Sequence, residues 1–207
     1  TDGITDRMIF DGEQLGDHWL MHKLGFFAES YHIPMIVRWP EGGFSGGKIE
    51  DRFTENIDIM PTILTAIGAD LPEGLDGAPL QTLVAGAVPN WRTEVRWEWD
   101  IRDPEHHLPG VFLGLRLDQC ALAVIRDRHT QYVHFSGAAS KMAPLAFDLD
   151  TDPDCFVNRA DDPAFAPRVL DAAQRMLTWR LQHQGGMLAN TVVGSSGVHS
   201  RIDPPRP

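Results

Sequence analysis

The chain has 207 residues, 43% hydrophobic and 23% charged, which is ordinary globular usage and enough for one large domain or one and a half small ones. Its formal net charge of −11 argues against a nucleic-acid backbone or an anionic membrane surface as partner, yet leaves room for a small anion held by one local cation. The two cysteines, Cys120 and Cys155, make neither a disulfide framework nor a C-x-x-C metal pair, and no stretch approaches the ~20 apolar residues of a membrane span. No basic-then-apolar leader opens the chain, which in a fragment says nothing about export; the location is open, with the cytoplasm as the favoured expectation.

Met8-Ile9-Phe10 is a short apolar run that ends at Asp11-Gly12, as a buried parallel strand does before a site loop. Asp11 to Phe27 then packs acids, imidazoles and one lysine behind that run. Met35 to Val37, flanked by Pro34 and Pro40, predicts a second buried strand, and Glu41 to Gly47, with four glycines, predicts a loop. Asn56 to Gly68 predicts a helix. Its apolar stripe is Ile57, Met60, Ile63, Leu64 and Ile67, with Asp58 as N-cap, Pro61 in the first turn and Gly68 as the stop. Residues 69 to 91 are a Gly, Pro and Ala-rich connection.

From residue 92 the pattern changes. Val95, Trp97 and Trp99 alternate with charged residues and predict a strand with one apolar face, its tryptophans serving as core or interface anchors. Gly110 to Leu117, Cys120 to Ile125, Gln131 to Phe135 and Ala146 to Leu149 predict further short strands, hence a small antiparallel sheet. Asp161 to Gln184 predicts the longest helix, capped by Asp161 or Asp162 and started at Pro163. Its stripe is Phe165, Val169, Ala173, Met176, Leu177 and Leu181. The tail from Met187 lacks periodicity. The expected division is 1–91, 92–186 and an extended tail, 187–207.

Three segments resemble one known family. DGEQLGDHWLMHKLGFF followed by ESYHIPMIVRWP is similar to type I sulfatases and phosphonate monoester hydrolases of the alkaline phosphatase superfamily. NIDIMPTILTAIGADLPEGLDGAPL resembles the family's next segment, and AFDLDTDPDCFVNRA its late L-Y-D-L-x-x-D-P-x-E-x-x-N-L-A turn. The resemblance implies an α/β fold class: part of an alkaline-phosphatase-like mixed sheet flanked by helices, plus a small C-terminal antiparallel sheet with a packed helix. It implies a metal-dependent hydrolase of sulfate, phosphonate or phosphate esters, of which this sequence is the C-terminal portion. The family's formylglycine nucleophile arises in a C-x-P-S-R type motif, which this sequence lacks and which is expected upstream.

The resemblance assigns Asp11 as a ligand for a divalent cation, Ca²⁺, Mn²⁺ or Mg²⁺ with Zn²⁺ as an option, and Lys23 as the cation that grips the substrate's charged oxygens. His22, beside Lys23, is a further substrate-binding candidate. Oxygen ligands suit hard cations, and a fixed ammonium offsets charge that moves to the leaving group. One departure matters. Where the family reads S-D-H-G-E, Phe10 is followed at once by Asp11-Gly12-Glu13, so three residues of the run, the histidine among them, have no counterpart. Asp17 and His18 are expected to hold their loop by hydrogen bonds rather than to bind metal, since adjacent side chains diverge. Glu13 is expected as a supporting or helix N-terminal acid. Asp148, Asp150, Asp152 and Asp154 are expected to build a capped turn, because Pro153 and Arg159 occupy the positions where a calcium loop needs Gly and Glu. The expected partners are a small anionic ester and further copies of the chain. The alternative is a non-catalytic remnant or oligomerisation module of the same family.

Overall fold

The computed structural model describes residues 12–22, 26–72, 74–86, 90–102, 108–137, 141–183, 191–194 and 197–200. In chain order the elements begin with strands β1 (Gln14–Leu15) and β2 (Met21–His22), the single turn α1 (Ala28–Tyr31), helix α2 (Ile59–Ala66) and the turn α3 (Gln81–Val84). Strand β3 (Glu94–Asp100), helix α4 (Leu108–Leu113) and strands β4 (Ala121–Asp127), β5 (Thr130–Phe135) and β6 (Leu145–Asp148) follow. Helix α5 (Ala166–His183) and strands β7 (Thr191–Gly194) and β8 (Gly197–Ser200) complete the order. Two compact units result. Among the described residues, 37–92 with those after 176 form one, and 12–36 with 93–176 form the other.

The second of these is built on a four-stranded sheet, β3-β4-β5-β6, antiparallel throughout. Strand alternation sends Leu122 and Val124 to one face and Ala123 and Ile125 to the other. Val133, Phe135, Phe147 and Leu149 join the first face, with Trp97 and Trp99 half-buried against them. Tyr132 and Ala146 join the second, where Phe165, Ala172 and Met176 of the α5 region cover them. Each large apolar side chain removed from water in this way stabilises the fold by about 1.5–3 kcal/mol. The predicted strand at Cys120–Ile125 and its two successors are therefore present, in the expected order.

Three expectations need correction. Gly110 to Leu117 is not a strand: Leu108–Leu113 is helical and Leu117–Gln119 is a 3-10 turn. Pro109 suits a first helical turn and cannot donate to a ladder, and a short apolar run alone does not distinguish the two states. Met35 to Val37 pairs with no described strand, and Ile36 is 93% exposed. An extended segment becomes a strand only when a neighbour satisfies its backbone, and no described residue does so here. Helix α5 begins at Ala166, five residues later than predicted. Before it, Asp162 accepts the Ala164 N–H at 2.8 Å and its carbonyl accepts the Phe165 N–H at 2.9 Å, so 161–165 are turns. Leu177 and Leu181, the last two residues of its apolar stripe, are exposed.

The other unit centres on Asp58, which is fully buried. Its carboxylate accepts the Glu55 N–H at 2.8 Å and the Ala78 N–H at 2.9 Å, and it pairs with both terminal nitrogens of Arg92. Asp58 thus lies one turn inside a 3-10 entry, Asn56–Asp58, and reaches back to cap it rather than capping α2 from outside. The predicted helix is otherwise present. The predicted stripe is only partly covered: Ile57 and Leu64 are half-buried, Met60, Ile63 and Ile67 are exposed, and Pro61 and Thr62 are the buried residues. In the tail, β7 and β8 pair as an antiparallel hairpin.

Candidate active site

The segment that carries the resemblance is held by close backbone approach. Strands β1 and β2 pair Gln14 with His22 and Leu15 with Met21. The loop between them closes with the Gly16 N–H donated to the Leu20 carbonyl, and those of Trp19 and Leu20 to the Gly16 and Asp17 carbonyls, each at 3.0 Å. Gly16, His18 and Trp19 all have positive φ, at 112°, 54° and 56°. For a histidine and a tryptophan that backbone costs roughly 1–2 kcal/mol each. Gly12 sits against the next turn of chain. A Cβ there would come within 2.2 Å of the Glu29 carbonyl oxygen, so only glycine fits.

Stacking supplies part of the compensation. The His18 ring lies parallel to Phe27, with centroids 3.6 Å apart, and Phe156 tilts against it at 4.9 Å. Phe27 in turn approaches Phe147, and Phe26 meets Phe135 edge-on. Gln131, fully buried in β5, donates its amide to the Phe26 carbonyl at 3.0 Å and accepts from Arg126 at 2.6 Å. Tyr31 stacks on Trp97 at 4.6 Å, and burial pushes its hydroxyl well above the usual range. The segment is thereby laid on the sheet face opposite α5.

Asp11 and Lys23, the predicted metal ligand and substrate cation, lie outside the described residues. His22 is placed by its backbone in β2, across from Gln14, and its side chain lies outside the described set. His18 turns its ring onto phenylalanines, and the Asp17 carbonyl closes the loop. No group of three His, Cys, Asp or Glu among the described residues could hold a metal ion. The described residues therefore form no metal centre.

Gln14 was passed over in the sequence. It is fully buried in β1, and neither its amide nitrogen nor its oxygen finds a hydrogen-bond partner among the described residues. Leaving such groups unbonded costs about 1–3 kcal/mol. Alternation offered no signal, because polar residues flank it on one side and a leucine on the other. The expected capped turn after β6 is present. Asp148 accepts from Thr151, Asp152 accepts the Phe156 and Val157 N–H groups at 3.0 and 2.7 Å, and Asn158 accepts from Ala146 and Ala160. Cys155, at φ 58°, is buried within it, and burial pushes its thiol up to about 11.

A shallow cleft opens on the α5 side, lined by Asp127, His129, Thr130, Arg168, Asp171 and Arg175. Its arginines are already spoken for. Arg175 pairs with Glu94, Asp127 and Asp171, and Arg168 with Asp148 and Asp150. An oxyanion would have to displace these carboxylates, so the cleft is a poor site for one.

The family model described as N-sulphoglucosamine sulphohydrolase, C-terminal, matches residues 16–182. The multifunctional alkaline phosphatase superfamily protein PehA of Trinickia caryophylli is 42% identical over 191 residues, covering 92% of this chain and 36% of its own length. Arylsulfatase K of Homo sapiens is 28% identical over 152 residues, 72% of this chain and 26% of its own. The crystal structure of the phosphonate monoester hydrolase of Agrobacterium radiobacter superposes with a TM-score of 0.79 at 39% identity, over 92% of this chain and 37% of that one. The chain spans well under half the length of these relatives.

Proposed function

Because the chain belongs to the N-sulphoglucosamine sulphohydrolase C-terminal family, we propose that it is the C-terminal portion of a metal-dependent hydrolase of sulfate, phosphonate or phosphate esters. The observation that carries this reading is the 39% identity, over 92% of the chain, with a phosphonate monoester hydrolase of the same fold. Lys23 is the residue that grips the ester's non-bridging oxygens, with His22 beside it. A fixed ammonium there offsets charge as the leaving group departs. Asp11 contributes one carboxylate to a divalent cation, which when bound polarises the ester. The nucleophile is a formylglycine from a segment this sequence lacks. The substrate is a small anionic ester, and the working enzyme is a homo-oligomer.

The chain alone is therefore expected to be inert, because nucleophile and charge-stabilising groups act as one unit. A hybrid tests the assignment: residues 8–184 replace the matched region of the Trinickia caryophylli relative, and p-nitrophenyl sulfate and phosphonate phenyl esters are assayed with Mn²⁺ or Ca²⁺. Turnover is expected, falling about 10²–10³-fold in Lys23→Ala, the usual effect of losing one group that stabilises transition-state charge. A folded but inert hybrid would instead favour a non-catalytic remnant. The motivation for that second reading is the missing histidine after Asp11.

A further inference from the structure

Gln131 stands where strand alternation calls for an apolar side chain. Val133 and Phe135, two and four residues on, share its face of β5 and belong to the core against which Phe26 and Phe27 pack. Gln131 itself is fully buried, with Arg126 of β4 on one side and Phe147 of β6 on the other. A buried amide adds little net stability even when bonded, and an apolar side chain of the same shape would serve the core as well. What the amide adds is direction. Its oxygen accepts from Arg126 Nη1 at 2.6 Å, and its nitrogen donates to the Phe26 carbonyl at 3.0 Å.

The carbonyl so held comes shortly after Lys23. Upstream, His22 ends β2, paired with Gln14. Three residues separate His22 from Phe26, and Lys23 is the first of them. Phe27 stacks on His18 at 3.6 Å, which ties the downstream anchor back to the loop between β1 and β2. A lysine on so short a link between two fixed points is restricted in where its ammonium can reach, and misplacement of a charged group is costly in catalysis. We propose that Gln131 is a positioning residue for the ester: its hydrogen bond to the Phe26 carbonyl fixes the stretch that carries Lys23, and so sets where the ammonium meets the charged oxygens. Gln131 acts through Lys23, and the inference rests on the reading of Lys23 as the substrate's cation.

Gln131→Met fills the same space and cannot donate. In the chain alone, hydrogen exchange read by mass spectrometry should show residues 12–31 losing most of their protection while β3 to β6 keep theirs. In the hybrid with the Trinickia caryophylli relative, kcat/KM for the phosphonate phenyl ester should fall by about 10–10²-fold. The loss should lie in kcat, and the same substitution added to Lys23→Ala should cost nothing further, because a residue acting through Lys23 has nothing left to position. Gln131→Glu keeps an acceptor for Arg126 without the donor, and should show the same loss; it decides the matter on the same criteria if the methionine variant fails to fold. Unchanged exchange at 12–31, undiminished turnover, or an equal loss in the Lys23→Ala background overturns the proposal. A hybrid inert with Gln131 in place ends the ester reading and this role with it, whereas an active hybrid indifferent to Gln131 overturns the positioning role alone.

Discussion

At Gln14 a neutral amide sits out of water with no hydrogen-bond partner among the described residues. Gln14→Leu keeps the volume and removes the unsatisfied groups, so it should stabilise the chain by about 1–2 kcal/mol in urea unfolding. A loss of stability of that size would show that the amide has a partner. Cys155 gives the pH dependence. Burial raises its thiol from 9.0 to about 11, so the native state holds that proton after the unfolded state has begun to release it. Its contribution is complete below pH 9 and is lost as the pH rises through about 11. Cys155→Ser should flatten the stability curve across that window. Ellman's reagent at pH 8 should leave both buried cysteines unmodified until urea is added. Little of this was legible in the sequence. His18 was expected to hold its loop by hydrogen bonds; what the structure shows is its ring stacked on Phe27 and Phe156, joining segments that no local pattern connects.

Elements were read well where periodicity and neighbours agreed. The strands β4 to β6 are short, largely apolar runs, each pairs with a sequence neighbour, and each is present. Agreement failed in two instructive ways. The run at Gly110–Leu117 was apolar without being periodic, and Leu108–Leu113 is helical. Helix α2 was periodic, but its stripe faces away from the polar network that anchors it. Periodicity identifies a face and does not say which polypeptide will cover it. The network itself makes a sharp prediction. Asp58→Ala leaves the largely buried Arg92 guanidinium without its main partner and two amides without acceptors, and should destabilise this unit by about 3–5 kcal/mol in thermal or urea melts. Wild-type stability in that variant would show that the Asp58 network does not hold this unit together.

For the molecule as a whole, the family and fold class were legible because three segments matched in the right order, and the superposition on a phosphonate monoester hydrolase agrees with them. The candidate site was less legible. A cation site and an oxyanion site are assembled from distant parts of a fold, and this chain spans 37% of that hydrolase. Its identifying segment fixes only the residues it contains. The unpaired Met35–Val37 stretch has the same origin, since composition marks it as a buried strand while no described residue lies alongside it.

The hydrogen bond from Gln131 to the Phe26 carbonyl spans 105 residues. On the ribosome the signature segment emerges long before β5, the strand that carries its anchor. Its resting place does not exist until the sheet has been synthesised, so its order is a late event of folding and not a nucleus. Nascent chains arrested before residue 131 should leave that segment open to proteases, and release of β5 and β6 should close it.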